Sequence, residues 1–248
     1  NNEIGTIQPI REIGNFLKKH RGDRLYPLFH TDACQSPGSL TLQVSNLGVD
    51  LLTLSSSKFY GPKGSGILYI KTGTPIDPIV FGGEQEDGMR SGTQNVPSIV
   101  GLAEALQVSD KHRKKESERL ANLRNYFILN VKKTIEGTLL NGDDKMRLPN
   151  NINIYFPGVS GERLVVELDV LGIECSTGSA CSSREEAPSH VLMSLFNDKI
   201  RTMGSVRFTL GKNSKKKEID FVIKNLKETV SRLKKTQSLN FSDPKIIN

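Results

Sequence analysis

The chain has 248 residues, 36% hydrophobic and 25% charged, with a formal net charge of +7, a composition ordinary for a folded protein of one large domain or two smaller ones. No run approaches the roughly 18 apolar residues of a membrane span and no secretory leader pattern opens it, so a cytoplasmic protein is expected. The surplus cations lie in Lys111–Lys115, Lys215–Lys217 and Lys234-Lys235, helical stretches without aromatic interleaving that read as solvated faces and not as a surface for nucleic acid.

The chain opens at Asn1-Asn2-Glu3 without an initiating methionine, and a fragment is expected. Ile10, Ile13 and Phe16-Leu17 predict an amphipathic helix that ends before Gly22-Asp23. Leu25–Phe29 predicts a strand ending at His30-Thr31-Asp32-Ala33-Cys34-Gln35-Ser36. An acid at the carboxyl end of an apolar strand holds the usual ligand position of an open α/β sheet. The N-cap of the following turn is an equal reading of Asp32.

Val49–Leu54 predicts a buried strand that delivers Ser55-Ser56-Ser57-Lys58 to the turn Gly61-Pro62-Lys63-Gly64. Lys58 is then either a surface lysine in a polar loop or an amine placed to form a Schiff base, beside hydroxyls and N–H groups that suit a phosphate. Gly66–Ile70 predicts a third strand, and the alternation of strand and helix argues for a mainly parallel sheet. Phe81–Thr93, rich in glycine and charge, reads as an active-site or interface loop. A long helix follows from Pro97 to about Ile135, its buried stripe marked by Leu120, Leu123, Phe127 and Val131.

From Thr138 the pattern changes to a smaller α/β domain. Strands are predicted at Asn151–Phe156 and Ser205–Leu210, and helices at Glu162–Leu171, Pro188–Phe196 and Lys215–Lys235, the last with Ser214 as its N-cap. The expected organisation is residues 1–135, the smaller domain 136–235, and a loosely held tail 236–248. Between two of these helices, Cys181 lies among small polar residues with Arg184 three positions on, the setting of an activated thiolate. Cys175 and Cys34 read as packing thiols. The three cysteines match no zinc spacing and no disulfide scaffold, so no metal is expected and reduced thiols are.

Taken together, Asn1-Asn2-Glu3-Ile4-Gly5, His30–Ser36, Lys58–Gly64, Arg90–Thr93, Ser179-Ala180-Cys181 and Val206-Arg207-Phe208, in that order, resemble the pyridoxal-phosphate-dependent cysteine desulfurases of the class V aminotransferase group. The resemblance implies an α/β fold of fold-type I, with part of the large domain followed by the small C-terminal one. It implies that Lys58 carries pyridoxal 5'-phosphate as a Schiff base, that Asp32 pairs with the ring nitrogen, and that Asn2 and Gln35 bond the ring's 3-oxygen. Ser55 and Ser57 would hold the phosphate, joined by Thr93 from the second subunit of a homodimer. Arg207 would clamp the carboxylate of L-cysteine. Cys181 would accept the sulfur and pass it to an acceptor or iron–sulfur scaffold protein, with L-alanine released.

The sequence departs from the family pattern in three places. Ser57 stands where a histidine is usual, Glu84 and Asp87 interrupt a glycine-rich loop, and the first part of the family's large domain is not in this chain. A selenocysteine lyase and a non-catalytic truncated remnant are the rival readings.

Overall fold

The computed structural model describes residues 1–178 and 188–241, the side chains of 237–241 excepted. The chain divides into two compact units, residues 8–116 and residues 1–7 together with 117–248. The division falls inside the long helix, whereas the sequence reading set it after residue 135.

In the unit 8–116, α1 (Ile10–Arg21) leads to β1 (His30–Asp32), α2 (Val44–Leu47), β2 (Leu51–Ser55), β3 (Gly66–Ile70) and the start of α3 (Val96–Thr134). β1 pairs parallel with β2, with Asp32 opposite Thr53. β3 returns antiparallel along β2, with Ser55 opposite Gly66, because the connection is a short turn and no crossover helix intervenes. Alternation along the strands buries Thr31 and turns Leu52 and Leu54 into an apolar cluster with Ala33, Val49, Phe59 and Leu102, while His30, Asp32, Thr53 and Ser55 take the other face.

Two expectations for this unit need correction. Leu25–Phe29 is not a strand: the paired stretch starts at His30, since Pro27 lacks an N–H to donate. Phe29 instead receives the Asp50 and Leu51 N–H groups on its carbonyl, at 2.8 and 3.1 Å. The apolar stripe of α1 is not its buried face either. Phe16 is 67% exposed, and Gly14 is the buried residue of α1, packed where a Cβ would come within 2.3 Å of the Leu47 carbonyl.

The second unit holds the rest of α3, then β4 (Leu139–Leu140), β5 (Asn151–Tyr155), α4 (Gly161–Asp169), α5 (His190–Phe196), α6 (Lys199–Met203), β6 (Ser205–Thr209) and α7 (Lys216–Phe241). Its sheet has the order β4-β5-β6, antiparallel throughout. Leu120, Phe127 and Val131 of α3 bury with Ile152, Ile154, Leu164, Val206 and Leu226 in one apolar core, which is why α3 beyond residue 116 belongs here. Ser160, Ser189 and Asp198 cap α4, α5 and α6 by accepting backbone N–H groups. Ser214 is not the cap of α7; its hydroxyl accepts from the Gly211 N–H, and Glu218 reaches back to the N–H of Lys215.

The other side of β5 is polar and equally buried. Asn141 donates to Asn153 Oδ1 and Ser205 Oγ, each at 2.8 Å, and Arg201 Nε donates to Asn141 Oδ1. Asn151 and Asn153 donate to the carbonyl of Glu3 at 3.2 and 3.0 Å. Arg147, buried among the Asn141 and Asn151 carbonyls, is lowered to about 10 by desolvation and by Arg124. Residues 1–7 join this unit because buried amides need partners, and the first segment of the chain supplies them.

Candidate functional site

Two constellations carry the expected site residues, one in each unit. In the unit 8–116, parallel pairing of β1 and β2 brings Asp32 and Ser55 to the same carboxyl end of the sheet. Beyond Ser55 a 3-10 turn, Ser56–Phe59, carries Ser57 and Lys58 and closes with Tyr60 in the left-handed region at φ 68°. Ser55 and Ser57 hydroxyls lie 3.4 Å apart, and the Ser57 and Lys58 side chains are exposed. Gly61 leaves no room for a side chain: a Cβ there would sit 2.3 Å from Ser56 Oγ.

Asp32 ends the strand, and its Oδ1 accepts the Cys34 N–H at 2.9 Å. Partial burial pushes its carboxyl up, but the Cys34 N–H and thiol and the nearby His30 outweigh this and hold it below the ordinary carboxylate range. Cys34 is pushed up to about 11 by burial and by Asp32, against a lowering by the Lys58 ammonium. Lys58 and Asp32 thus both act electrostatically on the Cys34 thiol, in opposite directions. Gln35 is half-buried just past this turn. His30, two residues ahead of Asp32 on the same face, meets Thr53 Oγ1 through Nε2 at 2.8 Å, a pair the sequence reading did not single out.

In the other unit, Arg207 in the middle of β6 donates from Nη1 to the carbonyl of Asn2 at 3.2 Å. Its backbone exchanges both hydrogen bonds with Ser176. Cys175 packs against the apolar core and is pushed up to about 12 by burial and by Asp169. Cys181 lies outside the described residues. Thr93 is exposed in the stretch between β3 and α3, a part of the chain without regular structure.

Sequence reasoning also missed Glu3, which is 2% exposed and accepts the Ser189 hydroxyl at 2.5 Å. An acid between Asn2 and Ile4 gives no local sign of burial when its partner is 186 positions away. A cavity of about 470 Å³ in the unit 8–116 lies at the opposite end of the strands, against Arg21, Asp50 and Lys71, and touches none of the expected residues. Among the described residues no cluster of His, Cys, Asp or Glu could hold a metal ion, and no helix is long and apolar enough to cross a membrane.

Comparison with known proteins places these residues in a wider set. The aminotransferase class-V family model matches residues 1–222. The chain is 46% identical over 234 residues to the cysteine desulfurase IscS of Dictyoglomus turgidum, covering 94% of this chain and 58% of that one. It is 43% identical to the cysteine desulfurase IscS of Clostridium botulinum, covering 96% and 59%. A solved NifS-like protein superposes with a TM-score of 0.84 at 34% identity, over 94% of this chain and 60% of that one. The chain therefore spans less than two thirds of the length of the relatives it matches.

Proposed function

The chain belongs to the class-V aminotransferase family, and on that premise we propose that it serves a cysteine desulfurase, with pyridoxal 5'-phosphate bound at Lys58 and sulfur passed from L-cysteine to Cys181. The observation that supports this reading best is the shared carboxyl end of β1 and β2. It puts an ionised aspartate and a lysine that follows two paired hydroxyls in one electrostatic neighbourhood.

Those residues fit the cofactor. An acid held below its usual range suits a pyridinium nitrogen, and paired hydroxyls at a tight turn suit a phosphate. Bound there, pyridoxal phosphate supplies an electron sink for the substrate's α-carbon. Asp32 would keep the proton on the ring nitrogen, and Gln35 and Asn2 would hold the 3-oxygen. Ser55 and Ser57 would take the phosphate, with Thr93 of a second copy. The Lys58 amine would move the proton at the α-carbon. The planar fork of Arg207 takes the carboxylate.

Cys181 then attacks sulfur. The carbon–sulfur bond of L-cysteine breaks, a sulfur–sulfur bond forms, and a proton ends on the β-carbon. L-Cysteine plus one thiol gives L-alanine plus one persulfide, with no outside oxidant or reductant. Cys34 and Cys175, whose thiols stay protonated near neutral pH, do not compete for this role. A sulfur-acceptor or iron–sulfur scaffold protein in the cytoplasm would take the persulfide onward.

The test is a pair of substitutions in the full protein. Lys58→Ala abolishes the absorbance of the bound cofactor. Cys181→Ser keeps that absorbance and forms no persulfide. A colourless wild-type protein, or sulfide release undiminished in Cys181→Ser, rejects the reading; turnover of L-selenocysteine but not L-cysteine assigns a selenocysteine lyase instead.

A further inference from the structure

Chemistry at Lys58 makes no use of the cavity of about 470 Å³ in the unit 8–116. That cavity lies where the last turns of α1, the chain leaving it, the start of β2 and the turn after β3 meet. This is the end of the sheet away from Asp32 and Ser55, since β1 and β2 run parallel and β3 returns antiparallel.

Four cationic side chains line it, Lys18, Arg21, Arg24 and Lys71, against two acids, Asp23 and Asp50. The two buried members cancel. Arg21 binds both Asp50 oxygens, at 2.7 and 3.2 Å, and their side chains are 11% and 5% exposed. The other cations are not spent. Lys18 is exposed and makes no side-chain hydrogen bond or ion pair among the described residues. Lys71 stands 3.6 Å from an Asp50 oxygen that Arg21 already holds, with 55% of its side chain exposed. Arg24 donates from Nε and Nη2 to the Arg21 and His20 carbonyls, which leaves Nη1. Set against Asp23, these three give the cavity a surplus of positive charge.

Like charges around one concave surface repel, and an anion between them removes that cost. The volume falls in the range of small-molecule sites, roughly 300–1,000 Å³, more than a bare inorganic ion fills. The wall also supplies hydroxyls, from Ser45, Thr72 and Thr74, and an apolar side at Val44 and Val49. A carboxylate is matched best by the fork of an arginine, and the fork of Arg21 is already filled by Asp50. Lysines bind phosphate as point charges, and hydroxyls can donate to its remaining oxygens.

We propose that this cavity is a second ligand site that takes a small organic phosphate, its phosphate group held by Lys18 and Lys71 and its organic part lying against Val44 and Val49. The site is separate from Lys58 and does not rest on the desulfurase reading.

The test titrates the full protein, cofactor bound, with AMP, adenosine and inorganic phosphate in a calorimeter. AMP binds, adenosine binds at least about tenfold more weakly, and inorganic phosphate competes with AMP. Lys18→Ala and Lys71→Ala each weaken AMP binding about tenfold, and added KCl weakens it in the wild type. Lys19→Ala, one position along α1 and outside the lining, leaves it within about twofold. Lys18 has no bond in the fold to lose, so its variant melts as the wild type does.

No AMP binding by the wild type, equal binding of adenosine, or an affinity unchanged in both Lys18→Ala and Lys71→Ala overturns the proposal. AMP that displaces the cofactor, seen as a loss of its absorbance, reports binding at the Ser55–Lys58 turn and overturns it as well. A protein that holds no cofactor defeats the desulfurase reading, and the two lysine variants then still decide the cavity.

Discussion

Arg207 and Asn2, 205 positions apart, are joined by a 3.2 Å hydrogen bond from guanidinium Nη1 to a main-chain carbonyl. Arg207 is half-buried, and a planar guanidinium is a better match to a carboxylate than a lysine ammonium is. Substituting lysine keeps the charge and loses the planar geometry. Arg207→Lys is expected to raise KM for L-cysteine about tenfold or more with bound cofactor unchanged, in line with the roughly 1.5–3 kcal/mol of a charge-assisted hydrogen bond. Steady-state kinetics on the full protein check this, and an unchanged KM removes Arg207 from substrate binding.

Asp50 binds Arg21 through both oxygens, at 2.7 and 3.2 Å, and accepts the Phe29 N–H at 2.9 Å. The side chains are 5% and 11% exposed. The hydrogen bond from Arg21 first, and the Phe29 N–H with it, hold the Asp50 carboxyl below its ordinary value despite burial. The unfolded carboxyl titrates near pH 3.9. The stabilisation is therefore complete above about pH 4 and is lost as pH falls toward the lower folded value. Arg21→Ala should cost about 2 kcal/mol at pH 7, because it removes two charge-assisted hydrogen bonds from a buried carboxylate and leaves Lys71 Nζ at 3.6 Å, and less at pH 3. Urea denaturation at both values measures the difference; equal losses would show that the carboxylate charge is not what Arg21 stabilises.

Ser56 Oγ is buried without a hydrogen-bond partner, at the position where a Gly61 Cβ would collide with it. An unpaired buried hydroxyl costs roughly 1–3 kcal/mol. Ser56→Ala is thus expected to leave stability equal or up to about 1 kcal/mol higher. Gly61→Ala should destabilise, and less so in the Ser56→Ala background, since the closest contact is gone. A thermal-melting cycle of the four proteins tests the coupling. Strict additivity would contradict the packing of this turn.

Cys34 is held up at about 11 by burial first and then by Asp32. In Asp32→Asn the second cause disappears and the Lys58 charge still lowers the thiol, so its titration moves down. Faster alkylation of Cys34 at pH 8 in that variant, read peptide by peptide, is the expected outcome. Cys175, held at about 12 without any contribution from Asp32, should keep its wild-type rate and serves as the internal control.

Much of the unit 8–116 is legible in its local sequence. Val49–Leu54 as an apolar run, Asp32 after a strand and Gly61-Pro62 as a stop are local signals, and local chemistry enforces them. The parts that mislead are those where a distant group takes over. Pro27 and the Asp50 carboxylate keep Leu25–Phe29 out of the sheet. The stripe of α1 is a sound helix signal, but Gly14 against Leu47 chooses which side is covered.

In the second unit the alternation Asn151-Ile152-Asn153-Ile154 announces a strand with an apolar face and a polar one. It does not say that the polar face is buried. Apart from Leu25–Phe29, the sequence alone determined the helix and strand types, together with the positions of Lys58, Asp32 and Arg207 near or within their elements, and the family. Only the tertiary structure decided that residues 1–7 pack with the far end of the chain and that Glu3 would meet Ser189. The reason is that a buried amide or carboxylate must be paired, while nothing in its own neighbourhood specifies which distant residue completes the pair.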